Sequence, residues 1–126
     1  MKRIWIGAAM LAIILVAGLW TGNRMEQTHT QVARQLRLCA EATQAGQWDR
    51  ADALAREAKE RWDGEWDFAA ALVDHTVLDE IDNAFEQLRV FMDNRDPLWG
   101  AVLCAELAQM VETIQEAHRV TWRNLL

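Results

Sequence analysis

His75 and Asp79 stand one helical turn apart, with Asp74, Glu80 and Asp82 close by. One imidazole among carboxylates is the donor set of an oxygen-rich cation site, which makes His75 and Asp79 the candidate metal ligands. A structural zinc site takes about four ligands, usually clustered Cys or His. Here His29 and His118 fall on other segments, with no spacing that ties them to His75. The competing reading is a His75 that bridges to Asp79 or to a backbone carbonyl, among solvated carboxylates. No motif calls for a cofactor. If the segment recognises another molecule, the candidate partner-binding patch is Asp74, His75, Asp79, Glu80 and Asp82.

Cys39 and Cys104 are the only cysteines. They are either a disulfide pair or two buried thiols acting as small hydrophobes. Counted along an up-down bundle, Cys39 precedes the turn at Gly46 by seven residues and Cys104 follows Asp96 by eight. That places them at similar heights on the first and fourth helices, which are neighbours in such a bundle. A cysteine nucleophile is disfavoured, because no His or basic side chain is placed by sequence to lower either pKa. A Ser-His-Asp order, a Gly-rich phosphate loop and a CxxC pair are all missing. No catalytic residue is assigned, and the chain reads as non-enzymatic.

Seven tryptophans among 126 residues are the other unusual feature. Trp48, Trp62, Trp66, Trp99 and Trp122 are expected at helix ends and turns, where indole rings plug a thin bundle. The alternative is an exposed recognition surface.

The elements that must hold these residues begin with a run from Ile4 to Trp20 that has no charged side chain. Lys2 and Arg3 precede it and Thr21-Gly22-Asn23-Arg24 follows. Counted through Asn23 the uncharged stretch reaches the roughly 20 residues that span a bilayer core. Trp5 and Trp20 bracket it, as indoles do at the headgroup zone. Residues 1–23 therefore read as a signal-anchor, with membrane lipid as the partner of residues 4–23. A cleaved signal peptide, using Val16-Ala17-Gly18, is the competing reading. Either way the basic end stays cytoplasmic and the remainder, 24–126, is extracytoplasmic; with the anchor uncleaved the arrangement is single-pass at the cell membrane.

That remainder carries all 19 acidic residues and 11 of the 13 basic ones, a net charge near −8. Such a surface repels phosphate backbones, so nucleic acid is excluded as a partner. Six glycines, one proline and an abundance of Ala, Leu, Glu and Arg are the composition of helices. From Thr28, the positions Val32, Leu36, Cys39 and Thr43 recur at helical spacing, with Arg34, Arg37 and Glu41 on other faces. Ala45-Gly46 ends that helix. A second helix, capped by Asp49, runs to about Trp62 with a stripe of Ala51, Leu54, Ala55, Ala58 and Trp62. Its outer face carries the i,i+4 pairs Asp52–Arg56 and Glu57–Arg61.

Asp63-Gly64-Glu65 reads as the next break, followed by a third and longest helix from Trp66 to Phe91 or Met92. Asp96-Pro97 starts a fourth, since Pro at the first helical position has no donor to waste. It reaches about His118, with Leu98, Ala101, Val102, Ala105, Ala108, Val111 and Ile114 on its apolar face, broadened by Leu103, Leu107 and Met110. The apolar end, Val120 to Leu126, is expected to fold back on the bundle. The fold class is all-α: an N-terminal transmembrane helix followed by a small four-helix, two-hairpin bundle. The turns at Gly46 and Arg95 are each followed by small residues, a packing style similar to tetratricopeptide turns without their period.

The order of features resembles a family of short, uncharacterised membrane-anchored proteins of clostridia and related Gram-positive bacteria, classed as a domain of unknown function. The residues that carry the likeness are the basic start with its Trp-containing anchor, Gly46-x-Trp48-x-x-Ala51 and the Trp62 to Trp66 segment. Leu72-Val73-Asp74-His75, Leu78-Asp79-Glu80-Ile81 and the final Trp122-Arg123-Asn124-Leu125-Leu126 complete it. Pro97 and the two cysteines depart from the pattern. The resemblance implies membrane location and helicity and assigns no activity. The expected function is a protein-interaction or structural module of the bacterial cell envelope, binding another membrane or envelope protein. The alternative is a metal- or ligand-binding sensor or carrier that uses the His75 region.

Overall fold

Strong helix formers and the scarcity of backbone breakers leave few places where this chain can turn. The computed structural model describes residues 1–125, without the side chains of Thr21, Met25, Phe68, Leu72, residues 118–122 and Leu125. The chain is all-helical: α1 (Lys2–Gln44), α2 (Trp48–Leu72), α3 (His75–Asp93) and α4 (Pro97–Leu125), with no strand among the described residues. Each helix packs on its neighbours in sequence and α4 closes against α1, so the four stand in cyclic order.

The expected step between an apolar segment ending at residue 23 and a helix starting near Thr28 is not a break in the backbone. Asn23-Arg24-Met25-Glu26-Gln27 includes no proline, and Arg, Met, Glu and Gln all favour helix. The polarity changes while the hydrogen-bond ladder continues. α1 is consequently 43 residues long, about 65 Å at 1.5 Å per residue. Its first half is long and apolar enough to cross a membrane, and no part of that window is covered by the rest of the chain.

The break expected at Asp63-Gly64-Glu65 does not occur either. α2 runs through Gly64 and ends at Leu72, so Trp62 and Trp66 lie within a helix and not at its ends. The turn falls at Val73-Asp74 instead. Val73 is extended, and Asp74 caps α3 by accepting from the Thr76 N–H at 2.9 Å. With 19 residues α3 is the shortest helix, not the longest. α4 continues past His118 to Leu125. The side chains of His118, Val120, Thr121, Trp122, Leu125 and Leu126 lie outside the described residues, and with them the expected fold-back of the end.

The remaining two turns share one geometry. At the first, the Gly46 N–H bonds the Thr43 carbonyl at 3.2 Å and the Gln47 N–H reaches Ala42 at 2.9 Å, with Gly46 at φ +73°. This is the paired hydrogen-bond pattern that closes a helix with a left-handed residue. At the second, Arg95 bonds Met92 and Asp96 bonds Phe91, both at 3.1 Å, and Arg95 holds φ +53°. Asp96 then caps α4 through the Trp99 N–H at 3.1 Å, with Pro97 first in the helix as expected. Asp49 is not the cap of α2. The helix starts one residue earlier at Trp48 after Gln47, and Asp49 sits in the first turn, where its charge favours the helix dipole.

The core follows the stripes read from the sequence on α1 (Val32, Leu36, Cys39, Thr43) and on α2 (Ala51, Ala58, Trp62), and α3 contributes Leu78, Ile81, Ala84, Phe85, Leu88 and Met92. On α4 the buried face is Ala101, Leu103, Cys104, Leu107, Ala108, Val111 and Ile114. Leu98, Val102 and Ala105 are exposed instead. A Cβ placed on Gly100 would lie 3.2 Å from Thr43 Cγ2, so α1 and α4 approach closely at that level.

Candidate functional site

The segment singled out by its donors is divided by the fold. Asp74 is committed to capping α3. His75, Asp79 and Glu80 are exposed, and the His75 ring lies 6.2 Å from Trp66. Asp82, on the same α3 face as His75 and Asp79, turns inward. Its Oδ1 accepts from Trp62 Nε1 at 2.8 Å and its Oδ2 from Trp66 Nε1 at 3.0 Å. Both carboxylate oxygens thus hold α3 to α2, and Asp82 is not a solvated member of a patch. Among the described residues no three His, Cys, Asp or Glu side chains gather to hold a metal ion.

Around that clamp lies a further group the sequence did not point to. His29 is buried on α1 with its ring 6.0 Å from Trp62, and the nearly buried Glu65 carboxylate meets Arg24 Nε at 3.5 Å. Arg24 also lies over the Trp20 ring at 5.6 Å. Trp20, Arg24 and Glu65 therefore link the end of the apolar segment to α2. The one available signal was spacing: Trp62, Glu65, Trp66 and Ala69 follow i, i+3, i+4, i+7, the pattern of a continuous helix face.

The cross-helix polar bonds replace those expected along α2. Asp52 accepts from Arg95 at 2.9 Å, Glu57 from Gln35 at 3.1 Å, and Arg61 donates to Gln31 at 2.6 Å, so the pairs Asp52–Arg56 and Glu57–Arg61 are not made. Arg37 binds Glu112 through two bonds of 3.0 and 2.8 Å, and the Glu112 hydrogen bond and charge raise the guanidinium pKa further. Cys39 and Cys104 are both wholly buried, with their sulfurs 3.2 Å apart.

Two surfaces remain. Between α2 and α3 runs a groove of about 430 Å³ with Ala55, Phe85, Leu88 and Met92 inside and Arg56, Lys59, Glu86 and Arg89 on its rims. At the end of the bundle that carries the Gly46 and Arg95 turns, Leu98 and Trp99 are 66% and 55% exposed, and Val102, one turn beyond Leu98 on α4, is exposed too. Trp99 stacks on the half-buried Phe91, ring centroids 6.3 Å apart. Of the five tryptophans outside the apolar run, four have described side chains: Trp62 and Trp66 brace the middle of the fold, Trp48 lies under the Arg95 guanidinium at 5.3 Å, and Trp99 is presented to solvent.

A family model described as a domain of unknown function (DUF4363) matches residues 19–125, which is the bundle together with the last residues of the apolar segment. No curated protein and no solved structure matches the chain.

Proposed function

This chain belongs to the DUF4363 family of domains of unknown function, and on that premise we propose that it is a single-pass, non-enzymatic membrane protein of a Gram-positive cell envelope. Its acidic bundle stands outside the membrane and binds another membrane or envelope protein. The observation that carries this reading is the continuity of α1. An exposed apolar half and a half that forms the bundle core are one helix, so the bundle is held at a set height and not on a flexible tether.

The orientation is supported by charge. Lys2 and Arg3 occupy the first turn of α1, where the helix dipole disfavours cations and no acid compensates. Helix stability does not account for them. Retention of positive charge on the cytoplasmic side does. The surface offered to the partner is Leu98 and Trp99 with Val102 one turn along α4, since aromatic and aliphatic side chains carry most binding energy at protein interfaces.

The test has two arms on the full chain in its native membrane. Externally added protease should digest the bundle in intact cells, and protection of the bundle there would overturn the topology. A photo-crosslinking residue at position 99 should capture a discrete membrane protein, and Leu98→Glu should abolish the adduct while leaving helix content unchanged. Adducts only with the chain itself, or none, would overturn the proposal of a separate partner.

A further inference from the structure

Cys39 on α1 and Cys104 on α4 face one another across the interior, 65 positions apart in sequence and 3.2 Å apart at sulfur. The Cys104 thiol donates to the Cys39 sulfur, and the Cys39 thiol donates to the Ala51 carbonyl at 3.4 Å. A disulfide has its sulfurs about 2.05 Å apart, so closure asks them to approach by about 1.2 Å. On the same helix faces as the pair, Ala42 stands three residues from Cys39, and Ala101 and Ala108 stand three and four from Cys104, all small buried side chains. We infer that Cys39 and Cys104 form an intramolecular disulfide that ties α1 to α4.

The oxidant is an exported disulfide donor acting by thiol–disulfide exchange. The hydrogen bond from Cys104 draws the Cys39 thiol below its ordinary value against the opposing effect of burial, and the same contact with burial pushes Cys104 far above it. Those shifts belong to the closed fold; in the folding chain, where both thiols are still accessible, either can be the entering nucleophile, for instance Cys39. Its thiolate attacks one donor sulfur and the other donor sulfur leaves as a thiolate. Cys104 then loses its proton and attacks the Cys39 sulfur, expelling the second donor thiolate. Two protein thiols are oxidised, one donor disulfide is reduced to two thiols, and these take up the two protons. Neither sulfur is exposed, so exchange takes place as the chain folds, and the finished bond is shielded from reductants. Closing a loop of this length lowers the unfolded-to-folded ratio by about a thousandfold in the chain-entropy account.

The supply of donor rests on the extracytoplasmic placement proposed above, while the geometry does not, and the experiment separates them. Cells making the full chain are quenched in acid, denatured and alkylated with N-ethylmaleimide before intact-mass analysis. No alkylation without reductant, two adducts after it, and a peptide joining Cys39 to Cys104 are expected. In parallel, the purified full chain in detergent is reduced, unfolded and refolded with oxidised and reduced glutathione, and should gain the same bond and a higher melting temperature. Free thiols in cells with the bond formed on refolding would overturn the disulfide in the living cell through its compartment. Two free thiols or two glutathione adducts on refolding would overturn it through its geometry. Cys39→Ala must leave Cys104 open to alkylation without reductant, and protection there would point to a different partner for Cys104.

Discussion

Arg95 adopts φ +53°, a left-handed backbone that costs an L side chain about 1–2 kcal/mol. Gly46 fills the equivalent place in the other turn of the same pattern. What retains an arginine is its side chain, which bridges the two turns. The guanidinium bonds Asp52 at 2.9 Å and lies 5.3 Å over the Trp48 ring. The ion pair, with its side chains 48% and 38% exposed, contributes about 0.2–1 kcal/mol. The cation–π contact adds about 0.5–1 kcal/mol. Arg95→Ala loses both and keeps the strain, a destabilisation of about 0.7–2 kcal/mol. Arg95→Gly loses both and relieves the strain, less about 0.5–1 kcal/mol for the freedom glycine gains in the unfolded chain. The glycine variant should therefore be about 0.5–1 kcal/mol more stable than the alanine variant. At about 4–8 °C per kcal/mol for a domain of this size, that is a difference of a few degrees in melting temperature. Thermal unfolding of the full chain in detergent, followed by far-ultraviolet circular dichroism, measures it. An alanine variant that melts at or above the glycine variant would refute the strain, and with it the account of why this turn holds an arginine.

Gly64→Ala should stabilise the chain by about 0.5–1 kcal/mol, because Gly64 is exposed within α2 and an added Cβ meets nothing within 4 Å; the urea midpoint reads it. Asp82→Ala leaves two indole N–H groups without their charged acceptor, and should destabilise by about 2 kcal/mol with a red-shifted tryptophan emission, whereas an unshifted spectrum would contradict the clamp. Gly100→Val places branched carbon against Thr43 where even one Cβ stands at 3.2 Å, and should lower stability by about 1–3 kcal/mol in the same denaturation assay.

The parts legible in sequence are those where local chemistry and packing agree. Asp96-Pro97 starts a helix by its own stereochemistry, Gly46 ends one by its own conformational freedom, and the Val32 to Thr43 stripe has a single apolar face to bury. Gly64 misleads because a glycine flanked by acids looks like a turn. One exposed helical glycine costs only about 1 kcal/mol, which burial of Trp62 and Ala69 on either side outweighs. The true turn is concealed because Ala70, Val73 and Val77 keep helical spacing across it. Its signal was the capping residue Asp74, with Val73 before it and Leu78 four positions into the new helix, the spacing of a hydrophobic staple. On α4, apolar side chains outnumber the core positions available. Which of them face inward is decided by what lies opposite, such as Cys39 against Cys104, and that is tertiary information. The candidate patch loses Asp82 for the same reason: unlike the exposed Asp79, it has two indoles across from it.

The continuity of α1 bears on how the proposed module would work. An acidic bundle on a flexible tether would be driven away from anionic lipid headgroups by its own charge, over a Debye length of about 10 Å. A helix that passes unbroken from the apolar segment into the bundle removes that freedom, since bending it mid-course sacrifices backbone hydrogen bonds that no proline or cap replaces. The joint is also braced from the side. Arg24, one turn beyond Trp20, stacks on that indole and pairs with Glu65 of α2. Thr30 meets Gln115 across the antiparallel α1 and α4, and α4 continues to Leu125, by register to about the level of Trp20. The bundle thus begins where the apolar segment ends. With about 21 residues between Asn23 and Gln44, its far end, where Leu98 and Trp99 are exposed, stands about 30 Å further on. In the proposed arrangement, a partner that meets that end must itself present an apolar surface at that height, which favours another envelope protein over a bilayer.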